Sequence, residues 1–127
     1  MHLGAASMIG ATGSNGSNNG VPENFDVLTY SDNDLREVSS IGYTVHNLVV
    51  NDPTKFSSED IERIKESFLS NSLIIGQTNG RYGGDLVNPN QIIRDNCINF
   101  VKDMCVLTSK LGAPNTYLRP GSINPNG

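Results

Sequence analysis

The signature of a helix start is spelled twice in this chain. Each time, a β-branched run follows the helix. In "YSDNDLREVSSIG", Ser31 suits an N-cap, Asp34 stands three residues on, and Tyr30 with Leu35 occupies the positions of a hydrophobic staple. Leu35, Val38 and Ile41 then mark one face of a short helix, and "YTVHNLVV" (43–50) reads as a buried strand. "FSSEDIERIKESFLSN" repeats the arrangement, with Ser57 as cap, Asp60 three residues later, and Phe56 with Ile61 as the staple. Its expected buried stripe is Ile61, Ile64, Phe68 and Leu69, with Glu59, Glu62, Arg63, Lys65 and Glu66 on the solvated face. "SLIIGQTN" (72–79) is the strand that follows.

The remaining elements extend the same alternation. "HLGAASM" (2–8) is a short opening strand, and residues 10–29, rich in Gly and Asn and containing Pro22, read as a long loop. The clearest helix runs from Gln91 to Leu111, where Ile93, Cys97, Phe100, Val101, Met104, Thr108 and Leu111 recur at three- and four-residue steps before Gly112 as C-cap. "NTYLRPG" (115–121) is a last strand, closed by Pro120, which cannot donate to a ladder. The order β-α-β-α-β-α-β predicts parallel strands joined by right-handed crossovers, an α/β fold. The loops after the strands are long and polar, and those before them are short. Function in such folds gathers at the carboxyl ends of the strands.

Composition narrows the function classes. The 127 residues suffice for one modest core, with a net charge of −4 and no cluster of Lys or Arg, so no nucleic acid is expected as a partner. The apolar runs are only a few residues long, far short of a bilayer span, and no secretory leader is visible, so the expected location is cytoplasmic with no membrane partner. Cys97 and Cys105 lie eight positions apart on one helix, about 12 Å along its axis and too far for a disulfide, so both read as reduced core thiols. The run "IGATGSNG" (9–16) has the glycine spacing of a dinucleotide loop. It leads into "SNNGVPENFDVL", which has no helical stripe to receive a pyrophosphate, and reads better as a loop over a site mouth.

At this point the residues carry a family resemblance. "LGAAS", "DLREVSSIGYT", "SSEDIERIKESF", "IIGQTNGRYGGDLVNPN" and "LTSKLGAPNTYLRPGS" together resemble the first half of a xylose isomerase-like TIM barrel, the superfamily of sugar and sugar-phosphate isomerases and epimerases. The resemblance implies a partial (β/α)8 barrel of about four parallel strands with three intervening helices. A complete barrel needs roughly 250 residues, so residues 1–127 read as the amino-terminal half of such a domain, a fragment. It also implies a divalent metal in the complete protein. The family's ligands, typically two glutamates, an aspartate and a histidine, come from later strands, so no cofactor is expected within this chain. Members often carry "GYxGVEL" at strand two. Here the stretch is "GYTVHNLVV", with His46 and Asn47 near the glutamate's place.

If strands three and four end as expected, Gln77, Asn79 and Arg81 cluster at one mouth with Arg119, while Ser7 closes strand one and His46 lies in strand two. Amide and guanidinium groups suit a small polyhydroxylated or phosphorylated substrate. No paired carboxylates and no Ser-His-Asp or Cys-His arrangement can be read from spacing. The expected function is therefore the amino-terminal portion of a sugar or sugar-phosphate isomerase or epimerase, which contributes pocket wall and lid and is inactive alone. The alternative is a non-catalytic half-barrel that self-associates as a homodimer or pairs with another chain, with Val45, Leu48, Ile74 and Ile75 in the seam. DNA repair of the endonuclease IV kind fits less well, since the acidic chain puts Gln77, Asn79 and Arg119 where zinc-binding histidines would be needed.

Overall fold

The computed structural model describes residues 4–5, 26–80, 86–118 and 120. Its elements are β1 (Gly4–Ala5), α1 (Asp32–Ile41), β2 (Val45–Val50), α2 (Ser58–Ser70), β3 (Ile74–Gly80), α3 (Gln91–Leu111) and β4 (Thr116–Tyr117), with 3-10 turns at Val27–Thr29 and Pro53–Lys55. Every strand pairing is parallel and the sheet order is β1-β2-β3-β4. Successive right-handed crossovers that step in one direction leave all helices on one face, whereas a doubly wound sheet reverses at a switch point. The order here has no reversal. This is the winding of a (β/α)8 barrel, part of which the described residues form.

The helices begin where the capping chemistry is strongest. At α1 the Ser31 hydroxyl accepts from the Asp34 N–H at 3.2 Å, and the Asp34 carboxylate accepts from the Ser31 N–H at 2.8 Å. Ser57 and Asp60 make the same reciprocal pair at α2, both bonds at 3.0 Å. Gly42 and Gly112 close α1 and α3 in the left-handed region, at φ 109° and 74°.

One apolar layer joins the helices to the sheet. Leu35, Ile61, Ile64, Phe68, Met104, Leu107 and Leu111 from the helices meet Leu48 and Val50 of β2, with Ile75 packed beside them. Leu69 departs from the expected stripe and is 79% exposed. It lies about 100° round the helix from Phe68, beyond the narrow face that Ile61, Ile64 and Phe68 define. Cys97 is buried but Cys105 is exposed, contrary to the expectation of two core thiols. Two four-residue steps along a helix of 3.6 residues per turn drift by about 80°, which carries Cys105 out of the stripe. Leu48 and Ile75 are likewise removed from the expected seam, because both pack on the helix side.

The crossover between β1 and β2 differs from the other two. The stretch expected as loop to residue 29 is structured at its end, and Val27 is fully buried. The Asp26 carboxylate accepts from the Asn51 N–H at 2.8 Å, just past the carboxyl end of β2. Tyr30 then lies beside His46 at the other end of that strand, the two rings tilted by 40°, and Asp32 accepts from Ser67 in the last turn of α2 and from Asn71, its C-cap. Residues 26–32 therefore descend along the sheet, and α1 starts near its amino-terminal rim.

Candidate functional site at the carboxyl edge

Register separates the two faces of the sheet. Leu48 pairs with Thr78 and Val50 with Gly80, and all four belong to the helix side. Thr78 bonds Thr108 of α3, and a Cβ on Gly80 would come within 2.6 Å of the Phe100 ring. The residues between them, Val49 and Asn79, pair with one another and face away from the helices, with Tyr117 opposite Asn79 on β4. Val45 and Ile74 pair on this same open face nearer the amino end, and neither joins the core cluster.

Asn47 lies between these levels. Its Oδ1 accepts from the backbone N–H of Gln77 at 2.8 Å. A Cβ on Gly76 would overlap that oxygen and come within 2.8 Å of the Val45 side chain, so any larger residue here would push the Asn47 amide aside. Asn47 and Asn79 thus share the open face, each half-buried, with Gln77 in the strand between their levels. They offer neutral donors and acceptors in fixed positions.

His46 is not brought to this group. Only 4% exposed, it pairs with Ile75 on the helix side, its ring centroid 5.7 Å from that of Tyr30 and 6.0 Å from that of Phe68. Ser7, Arg81 and Arg119 lie outside the described residues, as do the glycine run 9–16 and Asp85. Asn47 and Tyr117 were not among the expected site residues. The signal for Asn47 was a lone amide inside a β-branched run.

The charged groups near this edge have structural partners. The two oxygens of Asp26 accept from the N–H groups of Leu28 and Asn51, both at 2.8 Å. Asp52 caps the turn at Pro53, where the Thr54 hydroxyl, then the Thr54 N–H, holds its carboxyl below the usual carboxylate range. Among the described residues, no three His, Cys, Asp or Glu side chains gather where a metal ion could sit. Divalent cations such as Mg²⁺ take carboxylate ligands, and neutral amides alone are poor substitutes. The described residues therefore do not fit the divalent metal that the resemblance implies.

The end of α3 shapes the surroundings. Gly80 lies under Phe100 and Met104, and Thr78 bonds Thr108, so residues 91–99 of α3 continue past the end of β3. At 1.5 Å per residue that is about 13 Å of helix standing beyond the sheet. Asn90 caps its start by accepting from the Ile92 N–H, and Arg94 donates to the carbonyls of Asn88 and Pro89, which fastens the preceding loop. A separate hollow of about 90 Å³ on the helix side, lined by Phe56, Asp103 and Lys110 among others, is too small for a sugar-sized ligand. No helix among the described residues is long and apolar enough to cross a membrane.

No protein-family model and no curated protein matches the sequence. Solved structures do. A crystal structure of D-psicose 3-epimerase in the presence of D-fructose matches 91% of this chain and 36% of its own, with a TM-score of 0.64 at 12% identity. A putative xylose isomerase from Rhodospirillum rubrum matches 75% of this chain and 36% of its own, with a TM-score of 0.63 at 18% identity. D-psicose 3-epimerase with D-tagatose from Clostridium cellulolyticum matches the same shares, with a TM-score of 0.55 at 15% identity. At these identities the likeness is one of fold, and this chain spans 36% of the length of each.

Proposed function

We propose that residues 1–127 form the amino-terminal part of a (β/α)8 sugar isomerase or epimerase and supply one wall and a lid of its pocket. The observation that carries this reading is that Asn79 stands at the carboxyl end of β3, on the face away from the helices. Barrel enzymes bind substrate at that end. The likeness to structures described with D-fructose and D-tagatose supports a small sugar as substrate. In this reading Ser7, Arg81 and Arg119 complete the wall, and the guanidinium groups hold a phosphate or a sugar hydroxyl. Four further β/α units close the barrel and supply the donors for the divalent metal. The chain alone is then inactive.

The test begins with the reading frame beyond Gly127. Where it encodes four more β/α units, the complete polypeptide is incubated with D-fructose, D-tagatose or D-psicose and Mn²⁺, and the sugars are separated by chromatography. Interconversion by the complete polypeptide, with none by residues 1–127, is expected. Failure of the complete polypeptide to convert or bind any of these ketoses refutes the proposal.

A second reading is favoured by one observation. Ile74 is 50% and Tyr117 48% exposed on the open face, which leaves apolar surface for another copy of the chain to cover. A stop codon after Gly127, together with a dimer in sedimentation analysis, would favour a self-paired half-barrel over the enzyme.

A further inference from the structure

Side chains alternate along an unbroken strand, so Ile75, Gln77 and Asn79 would share one face. Ile75 packs on the helix-side core. An unbroken β3 would therefore place both amides under α3 and turn Thr78 and Gly80 outward. The register slips instead. His46 pairs with Ile75 and Leu48 with Thr78, so two steps along β2 match three along β3. Such a bulge sets two residues against one, here Gly76 and Gln77 against Asn47. After it, Thr78 and Gly80 face α3 and Asn79 faces the open side.

A bulge leaves a backbone group without its ladder partner, and here a side chain takes it up. The Asn47 Oδ1 accepts the Gln77 N–H at 2.8 Å. To reach it, the amide lies across Gly76, where a Cβ would collide with it. We infer that Asn47 is a positioning residue, whose side-chain carbonyl holds the β3 bulge at the Gln77 N–H and so presents Asn79 to the pocket face. The effect on sugar binding rests on the proposed function. The effect on register does not.

The test uses residues 1–127, labelled with 15N, and two variants. Asn47→Asp keeps an acceptor at the same place, and Asn47→Leu keeps the size without one. A net hydrogen-bond contribution of about 0.5–1.5 kcal/mol corresponds to roughly 2- to 12-fold faster exchange of the Gln77 amide proton in Asn47→Leu. Asn47→Asp restores the slow exchange. In a Cys105→Ser background, thiol labelling of Asn79→Cys slows when Asn47→Leu is added and recovers with Asn47→Asp. Unchanged Gln77 exchange in Asn47→Leu, or Asn47→Asp behaving as Asn47→Leu, overturns the inference. Should Asn47→Leu fail to fold by circular dichroism, Gly76→Ala is measured in its place. It leaves residue 47 intact but displaces its amide, and the same acceleration at Gln77 is expected. In the complete polypeptide, Asn47→Leu is expected to lose ketose affinity and Asn47→Asp to regain it. Equal ketose affinity in the parent and both variants overturns the role. Absence of ketose binding even in the parent removes the proposed function, while the exchange rates still decide whether Asn47 holds the bulge.

Discussion

Thr78 and Thr108 join β3 to α3 through a buried contact whose direction can be worked out. Their hydroxyl oxygens are 2.7 Å apart, with the residues 0% and 5% exposed. The Thr108 hydroxyl donates to the Met104 carbonyl at 2.6 Å. A hydroxyl has one proton, so Thr78 must be the donor between the two threonines. The two valine substitutions, which keep the shape, then differ in cost. Thr108→Val removes the acceptor and strands a buried O–H, at about 1–3 kcal/mol. Thr78→Val leaves Thr108 still bonded to Met104 and costs only the net hydrogen bond, about 0.5–1.5 kcal/mol. The double variant strands no donor, so its cost falls short of the sum by about 1 kcal/mol. Urea unfolding followed by circular dichroism resolves this, as does melting, where 1 kcal/mol corresponds to roughly 2–8 °C in a domain of this size. Costs additive to within about 0.3 kcal/mol, or Thr78→Val costing more than Thr108→Val, would refute the proton assignment.

Three further outcomes are expected. Asp26→Ala strands the N–H groups of Leu28 and Asn51 and destabilises the chain by about 2–3 kcal/mol in urea unfolding, while Asp26→Asn, which keeps one acceptor, costs less. Asp32 is held below the usual carboxylate range by bonds from Ser67 and Asn71, and Asp60 by the Ser57 N–H and hydroxyl. Since their folded values are depressed, the stability they contribute is present above the ordinary carboxylate pKa and is lost as pH falls below about 4 through the folded values. Carboxyl chemical shifts followed through an acid titration check this. Ellman's reagent should modify Cys105 promptly in the folded chain and Cys97 only after denaturant is added.

What the sequence disclosed was local. Ser31 with Asp34 and Ser57 with Asp60 announce their helices because a capping box is complete within four residues, and α3 carries both its stripe and its terminal Gly112 in one contiguous run. The alternation of such elements was enough for the fold class. The face of each strand residue was not legible. In "YTVHNLVV" nearly every side chain is compatible with burial, so nothing local says that His46 looks at Phe68 while Asn47 looks the other way. The bulge is less legible still, since its two halves, Asn47 and Gly76, meet only after β2 and β3 pair. Asp26 was hidden for a similar reason, as a single acid in a loop whose main partner, Asn51, is 25 residues away.

The open face is graded from one end to the other. Val45 and Ile74 sit at its amino end, Asn47 with Gly76 at mid-height, and Asn79 between Val49 and Tyr117 at the carboxyl end. In a closed (β/α)8 barrel the interior is filled by layers of bulky branched side chains, and chemistry is confined to the carboxyl rim. The face shares part of that form: its amino end is branched and apolar, and its hydrogen-bonding side chains lie from mid-height upward, with the buried Val49 among them. Two costs follow for any structure that leaves the face uncovered. Ile74 stays half in water, and the amides gain nothing from being fixed, since solvent would satisfy them in any orientation. The bulge held by Asn47 carries Asn79 to the face away from α3, which is the face the sugar would meet in the proposed enzyme.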